Sequence, residues 1–113
     1  MTISGDTARC DNLVTLAQGT NLLLHEAIDL DWVRERFDKP NPVAQATLSH
    51  HLRSHTGAAD VVDLAIAAGA KSLALHHLVP ANAPADVWQR ALAKFDGASH
   101  LPDDLSRIPF GAI

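Results

Sequence analysis

Two continuous apolar runs constrain the fold of this chain more than any other feature. They span Asn21 to Glu26 and Ser72 to Leu78, and their centres are rich in leucine rather than alternately apolar and polar. Runs of this length without alternation are typical of strands that are covered on both faces, as in a parallel sheet. A third and shorter candidate strand runs from Thr2 to Ser4 and is ended by Gly5.

Apolar residues at helical spacing separate these strands. We predict helices from Asp11 to Gln18, from Gly57 to Ala68 and from Pro84 to Phe95. Thr56 is expected to cap the second of these helices, and Trp88 to lie in the buried stripe of the third. Strands that alternate with helices imply right-handed crossovers and a mainly parallel sheet, so the predicted class is α/β.

The stretch from Ala27 to Ser54 is too long for one simple crossover. We expect a short helix around Trp32 to Phe37 and a further helix from about Val43 to Leu52. Residues 1–113 are too few for two well-packed domains, so a single partial domain is predicted. Because the first strand is barely three residues long, the chain is expected to begin in the middle of a domain.

Composition excludes several classes of function. A formal net charge of −4, two Trp, three Phe and no Tyr disfavour a nucleic-acid-binding surface. No stretch approaches the roughly 20 apolar residues of a membrane span, and no signal peptide is visible. Cys10, the one cysteine, cannot form an internal disulfide. A reducing compartment, and therefore a cytoplasmic location, is expected.

Acidic residues and histidines follow the predicted strands. Along the chain these are Asp6, then His25 and Glu26, then His76 and His77. In open parallel sheets ligands gather at the carboxyl ends of the strands, so these side chains are expected at one edge. Carboxylate and imidazole together suit zinc, manganese or iron better than calcium.

Two other arrangements deserve comparison. His51 and His55 are four residues apart, the spacing of a helical zinc motif, but Leu52 stands where the general-base Glu of that motif belongs. The segment is also expected to leave the helix before His55. Asp6 alone could serve as a phosphoryl acceptor, but that function calls for further acidic residues near the first strand and a Lys at a later strand end.

The order of motifs resembles the second half of metallo-β-lactamase-fold hydrolases, and especially the ribonuclease Z-like and arylsulfatase-like branches. The resemblance covers nearly the whole chain. The matching segments are Ser4-Gly5-Asp6-Thr7, Cys10-Asp11-Asn12-Leu13-Val14, Leu22-Leu23-Leu24-His25-Glu26-Ala27, Ser54-His55-Thr56, Ala67-Ala68-Gly69-Ala70-Lys71, Leu73-Ala74-Leu75-His76-His77-Leu78-Val79-Pro80 and Asp104-Leu105-Ser106-Arg107-Ile108-Pro109.

The resemblance implies a role for each matching residue. Asp6 would be the carboxylate that bridges two metal ions, and His77 the last histidine ligand of the second ion. His55 would assist catalysis by contacting the phosphate or sulfate group or by transferring a proton. His25 and Glu26 would support the ligands without binding metal. Two zinc ions, or manganese or iron, would lie about 3.5–4 Å apart and act on phosphodiesters, sulfate esters or related esters.

The remaining histidines receive no site role. His76 precedes the ligand position and should point away from His77, because successive side chains of a strand alternate. His50, His51 and His100 are expected at the surface.

The family's first metal-binding motif, His-x-His-x-Asp-His, is absent from this sequence. The implied fold is the C-terminal half of a four-layer αββα sandwich, with one sheet face left uncovered. We therefore expect a catalytically inactive or nearly inactive chain that needs the missing N-terminal half or associates with itself. The alternative is a non-catalytic α/β module, derived from that fold, that serves oligomerisation or interaction.

Overall fold

Four parallel strands form the sheet of residues 1–110, the part of the chain that the computed structural model describes. Their order in the sheet is their order in the sequence. They are β1 (Thr2–Ile3), β2 (Leu23–Ile28), β3 (Ser72–Val79) and β4 (Ala98–His100). Parallel pairing of every neighbouring pair confirms the predicted α/β class.

Five helices connect the strands within the described residues. They are α1 (Asp11–Leu16), α2 (Leu30–Phe37), α3 (Pro42–Ser54), α4 (Ala58–Ala67) and α5 (Ala85–Leu92). None of these helices is long and apolar enough to cross a membrane.

Side-chain caps define the starts of the two helices that follow β2. The Asp29 carboxylate accepts hydrogen bonds from the backbone N–H groups of Asp31 and Trp32 at the start of α2. The Asn41 side chain accepts from Ala44 at the start of α3, where Pro42 fits because a first-turn residue needs no intrahelical N–H bond. The long connection from β2 to α4 is thus two helices that pack against each other.

One face of the sheet carries the main core. In the register of the strands, Thr2, Leu23, Leu73 and Ser99 form a row across the sheet, and Leu23 and Leu73 have no exposed surface. Residues of α4 and α5 and the ends of neighbouring segments pack on this face. The cluster comprises Ala17, Leu23, Ala27, Val61, Val62, Ala65, Ala68, Leu73, Leu75, Trp88, Leu92 and Phe95. Trp88, 1% exposed, is a core residue as predicted.

The opposite face is covered less completely. Strand alternation places the next row, Ile3, Leu24, Ala74 and His100, on this side. Ala74 is buried, but Ile3 is 52% exposed and Leu24 and His100 are only half-buried. The edge of this face at β1 is therefore an apolar surface open to contact.

Several boundaries differ from the sequence-based predictions. Strand β2 begins two residues later than predicted and extends beyond Glu26 to Ile28, while β3 extends to Val79. Helices α1, α4 and α5 are shorter than predicted, and α3 is longer. Strand β4 was not predicted, because its three residues contain no apolar run.

The prediction that Thr56 caps α4 is wrong. Gly57 occupies the N-cap position, and no side chain caps that end. The Thr56 hydroxyl instead donates a hydrogen bond to the backbone oxygen of Thr7, 2.5 Å away. The cap is lost because this hydroxyl ties the loop after β1 to the segment before α4.

Candidate metal centre

Three metal-ligating side chains converge at the carboxyl ends of the strands. Asp6 follows β1, His77 lies in β3, and His55 occupies the C-cap of α3. One donor atom from each lies within 4.8 Å of the other two. The three residues are separated by 49 and 22 positions in the sequence, so only the parallel sheet and its crossovers bring them together.

An irregularity in β3 sets the direction of His77. Glu26 of β2 pairs with His76, whereas Ala27 pairs with Leu78, so His77 is an extra residue on its strand. Its φ angle is +45°, in the left-handed region that non-glycine residues seldom adopt. Bulges of this kind re-aim side chains near functional sites. Here the bulge takes His77 out of the pairing between β2 and β3, and the His77 ring contacts Asp6.

Asp6 and His77 form the exposed half of the site. Nδ1 of His77 lies 3.1 Å from Oδ1 of Asp6, and the two side chains are 53% and 54% exposed. Metal–ligand bonds of about 2.0–2.1 Å place neighbouring ligands of a tetrahedral zinc ion roughly 3.3 Å apart. The observed separation therefore suits two ligands of a common ion.

His55 is the buried member of the group. Its side chain is 8% exposed, and its Nδ1 lies 3.1 Å from Oε2 of Glu26. The other carboxylate oxygen of Glu26 accepts hydrogen bonds from the backbone N–H of Thr56 at 2.8 Å and, more weakly, of Thr7 at 3.4 Å. An ionised carboxylate only accepts, so Nδ1 of His55 is the donor of this hydrogen bond.

Glu26 joins the strands and loops that carry the site. Its backbone N–H donates to the hydroxyl of Ser4 at the end of β1, 2.9 Å away. Burial raises the pKa of the Glu26 carboxyl, while hydrogen bonds from Thr56, His55 and Thr7 act in the opposite direction. A fully buried carboxylate with these donors holds the loop of Asp6 and the ring of His55 in fixed relation.

His25 and His76 lie outside this group. His25 has no exposed surface, and its Nδ1 is 2.6 Å from the backbone oxygen of Glu26. Burial lowers the pKa of His25. Burial also lowers the pKa of His76, and electrostatic repulsion from neighbouring His77 lowers it further. Both imidazoles are therefore held in the neutral form near neutral pH.

Of the three histidines predicted at the surface, His50 is exposed, and His51 and His100 are half-buried. The ring of His51 stacks on His55 with centroids 5.8 Å apart. Helix α3 ends at Ser54 and His55 is its C-cap, so His55 leaves the helix as expected. Only the i, i+4 spacing of His51 and His55 in the sequence points to this contact.

An open groove borders the exposed half of the site. It has a volume of about 620 Å³ and lies between the end of β3 and the segment after β4. Its lining residues are Leu75, His76, His77, Leu78, Ala81, Pro102, Asp103 and Asp104. A small molecule in this groove would reach His77 directly.

No protein-family model matches the chain, but comparisons with individual proteins find relatives. Ribonuclease Z of Mycobacterium tuberculosis is 32% identical over 109 residues, which are 94% of this chain and 37% of that protein. Ribonuclease Z of Mycobacterium bovis is also 32% identical over 109 residues, 94% of this chain and 36% of that protein. The chain thus spans less than half the length of these relatives.

A solved structure shows the same fold. The metallo-β-lactamase fold protein YhfI from Bacillus subtilis superimposes with a TM-score of 0.58 and 19% sequence identity. The match covers 86% of this chain and 34% of YhfI. The resemblance inferred from the motif order is confirmed: the chain is homologous to ribonuclease Z of the metallo-β-lactamase superfamily and has the fold of part of a metallo-β-lactamase domain.

Proposed function

We propose that this chain carries part of the active site of a metal-dependent hydrolase that cleaves phosphodiester, sulfate-ester or related ester bonds. The observation that carries the proposal is the convergence of Asp6, His55 and His77, whose donor atoms lie within 4.8 Å of one another. Homology to ribonuclease Z supports a metal-dependent hydrolase family. The position of the group at the carboxyl ends of parallel strands is where such folds place their ligands.

Asp6 and His77 are the proposed metal ligands. Their carboxylate and imidazole suit zinc, with manganese or iron as alternatives. When bound, the metal supplies Lewis-acid polarisation of the scissile group. A binuclear centre needs more ligands than these residues provide, and the His-x-His-x-Asp-His motif is absent from the sequence. We propose that the other ligands come from residues outside this chain, since the relatives are more than twice as long.

His55 is the proposed catalytic residue. Glu26 accepts a hydrogen bond from Nδ1–H, which leaves Nε2 of the neutral ring with a free lone pair. A nitrogen in this state can take a proton from an attacking group or, once protonated, give one to the leaving oxygen. The buried carboxylate behind it stabilises the imidazolium that forms, because the pair remains hydrogen-bonded in both states.

The groove beside His77 indicates a small substrate. Asp103 and Asp104 line it, and the chain has a formal net charge of −4. Long polyanions such as RNA would be repelled unless another chain supplied positive charge. A small ester or phosphodiester carries less charge, and the metal would offset it.

The open face of the sheet supports a second proposal. Ile3 is 52% exposed in a row that includes half-buried Leu24, although both lie in strands. We propose that this face is covered either by the N-terminal half of the fold or by a second copy of the chain. If a second copy covers it without metal, the chain is a non-catalytic oligomerisation module.

Hydrolysis of chromogenic esters tests the proposed activity. The chain with added zinc would be assayed on aryl phosphodiester, aryl sulfate and aryl phosphate substrates. It would be tested alone and mixed with the portion of the Mycobacterium tuberculosis ribonuclease Z relative that lies outside the match. We expect activity above that of Asp6→Asn only in the mixture, because only the mixture supplies all the ligands. Equal rates for the wild type and Asp6→Asn in the mixture would overturn the proposal.

A further inference from the structure

A stack of aromatic rings runs from α2 into the proposed site. The ring of Phe37 stacks on His51, that of His51 on His55, and that of His55 on His77. The centroid separations are 5.5, 5.8 and 5.9 Å, and the interplanar angles are 26°, 30° and 26°. Trp32 closes the outer end with edge contacts to Phe37 and His51. His51 therefore lies between an apolar ring and the proposed catalytic imidazole.

The backbone alone does not hold His55. Helix α3 ends at Ser54, and His55 has the extended φ and ψ angles of −136° and 157°. The Glu26 carboxylate fixes Nδ1 at 3.1 Å, but one hydrogen bond still lets a ring swing about the bonded atom. A flat contact from a second ring removes that freedom. His51, one helical turn earlier, provides it, and its backbone oxygen also accepts the N–H of His55 at 3.1 Å.

The described donor groups argue against a metal shared by His51 and His55. Asp6, His55 and His77 offer donor atoms within 4.8 Å of one another, and His51 is not in that group. The rings of His51 and His55 are nearly parallel, with an interplanar angle of 30° and centroids 5.8 Å apart. The i, i+4 spacing on α3 therefore produces a ring contact.

We propose that His51 is a positioning residue, which holds the His55 imidazole by ring contact so that Nδ1 stays on Glu26 and Nε2 stays free for its proposed catalytic role. The inference rests on the proposed function of His55. The stack acts through shape and dispersion, so an aromatic ring of similar size should serve as well as imidazole. The nitrogens of His51 take no part.

Nuclear magnetic resonance of the ring nitrogens tests this role without metal. The ¹⁵N shifts of His55 would be compared in wild type, His51→Ala and His51→Phe, with His50→Ala as the control. His50 is exposed on the same helix and contacts His51 but not His55 in the stack. We expect a single Nδ1–H form of His55 in wild type, His51→Phe and His50→Ala. His51→Ala should give averaged shifts of two tautomers with an unchanged unfolding midpoint.

Zinc titration of the same proteins gives a second readout. Zinc affinity in His51→Ala, His51→Phe and His50→Ala should equal that of the wild type, because the proposed ligands are Asp6 and His77 and His51 acts on His55. Unchanged His55 shifts in His51→Ala, or the same His55 shifts in His51→Phe as in His51→Ala, would overturn the stacking role. The proposed function is tested separately by the rates in the mixture, so its failure there would leave the metal-free shifts to decide the role of His51.

Discussion

Nδ1 of His55 lies 3.1 Å from Oε2 of Glu26, a side chain with no exposed surface. The same carboxylate receives the backbone N–H of Thr56, so the residue that orients the ring also anchors the loop beside it. Removing a buried acceptor leaves its donors unpaired. The pair therefore couples the geometry of the site to the integrity of the fold around it.

Replacing Glu26 with Gln tests this coupling. The amide oxygen can still accept from Thr56, but the amide N–H₂ then faces Nδ1 of His55, and two donors oppose each other. His55 should shift its proton to Nε2, and zinc affinity should fall about 10- to 100-fold. Calorimetric titration of zinc measures the loss. Glu35→Gln, at the only other glutamate and exposed on α2, should have no effect. Equal affinities for the two variants would refute the role of Glu26.

The bulge in β3 makes a prediction about stability. His77 has a φ of +45°, which is strained for a residue with a Cβ atom but not for glycine. His77→Gly should therefore be more stable than His77→Ala by about 1 kcal/mol, although both remove the proposed ligand. Urea unfolding of the two metal-free variants gives the difference. A less stable glycine variant would show that the bulge imposes no such strain.

Exposed Ile3 predicts association through the open sheet face. Wild type should be dimeric or larger at micromolar concentrations. Ile3→Lys should be monomeric, because burial of an unpaired charge in the contact between two copies costs free energy. Sedimentation velocity distinguishes these states. The control is Leu16→Lys, a substitution at an exposed leucine of α1 that is 72% exposed. Its association should resemble that of the wild type. Loss of association in both variants, or in neither, would contradict the assignment of the face.

Buried His25 predicts a pH dependence of stability. Burial lowers the pKa of His25 below its usual value of 6.5. Below pH 6.5 the unfolded chain therefore takes up a proton at His25 that the folded chain does not. The contribution of His25 to the free energy of unfolding is thus fully present above this pH and decreases as pH falls through it.

Denaturant unfolding in chelator at pH 7.5 and pH 5.5 measures this dependence. His25→Gln should lose less stability than wild type over that interval, because one titrating group is gone. His51 and His76, whose pKa values are also lowered by burial, keep part of the slope in both proteins. An identical loss in wild type and variant would show that His25 takes up a proton in both states.

The strands that carry the core could be predicted, whereas the sheet edge could not. The leucine-rich runs of β2 and β3 are longer than the apolar stretches found in turns and loops, so they indicate strands. Strand β4 has the sequence Ala98-Ser99-His100, which is short and mostly polar. Its placement depends on pairing with Ser72, Leu73 and Ala74 of β3, a long-range contact that no local pattern reveals. The cap of α4 was mispredicted for a similar reason, because Thr56 bonds to Thr7 across 49 residues.

Some features of the site could likewise be predicted from the sequence, and others could not. Asp6 and His77 could be singled out because each follows an apolar run whose end the sequence marks. The bulge that turns His77 could not, since it depends on how β2 pairs with β3. His51 was assigned to the surface because an i, i+4 pair of histidines looks the same in sequence whether the rings share a metal or stack. The structure separates those cases, because His51 is absent from the described group of donor side chains that could hold a metal.

The amount of metal bound per chain tests the central claim most directly. Protein purified without chelator would be analysed by elemental mass spectrometry, with Asp6→Ala and His77→Ala beside it and His100→Ala as a histidine control away from the site. Each protein would be mixed with the portion of the ribonuclease Z relative that lies outside the match. We expect wild type and His100→Ala to add bound zinc, manganese or iron beyond that of the portion alone, with loss of this added metal in both site variants. No added metal with wild type in the mixture, or equal added metal with all four proteins, would contradict the proposed site.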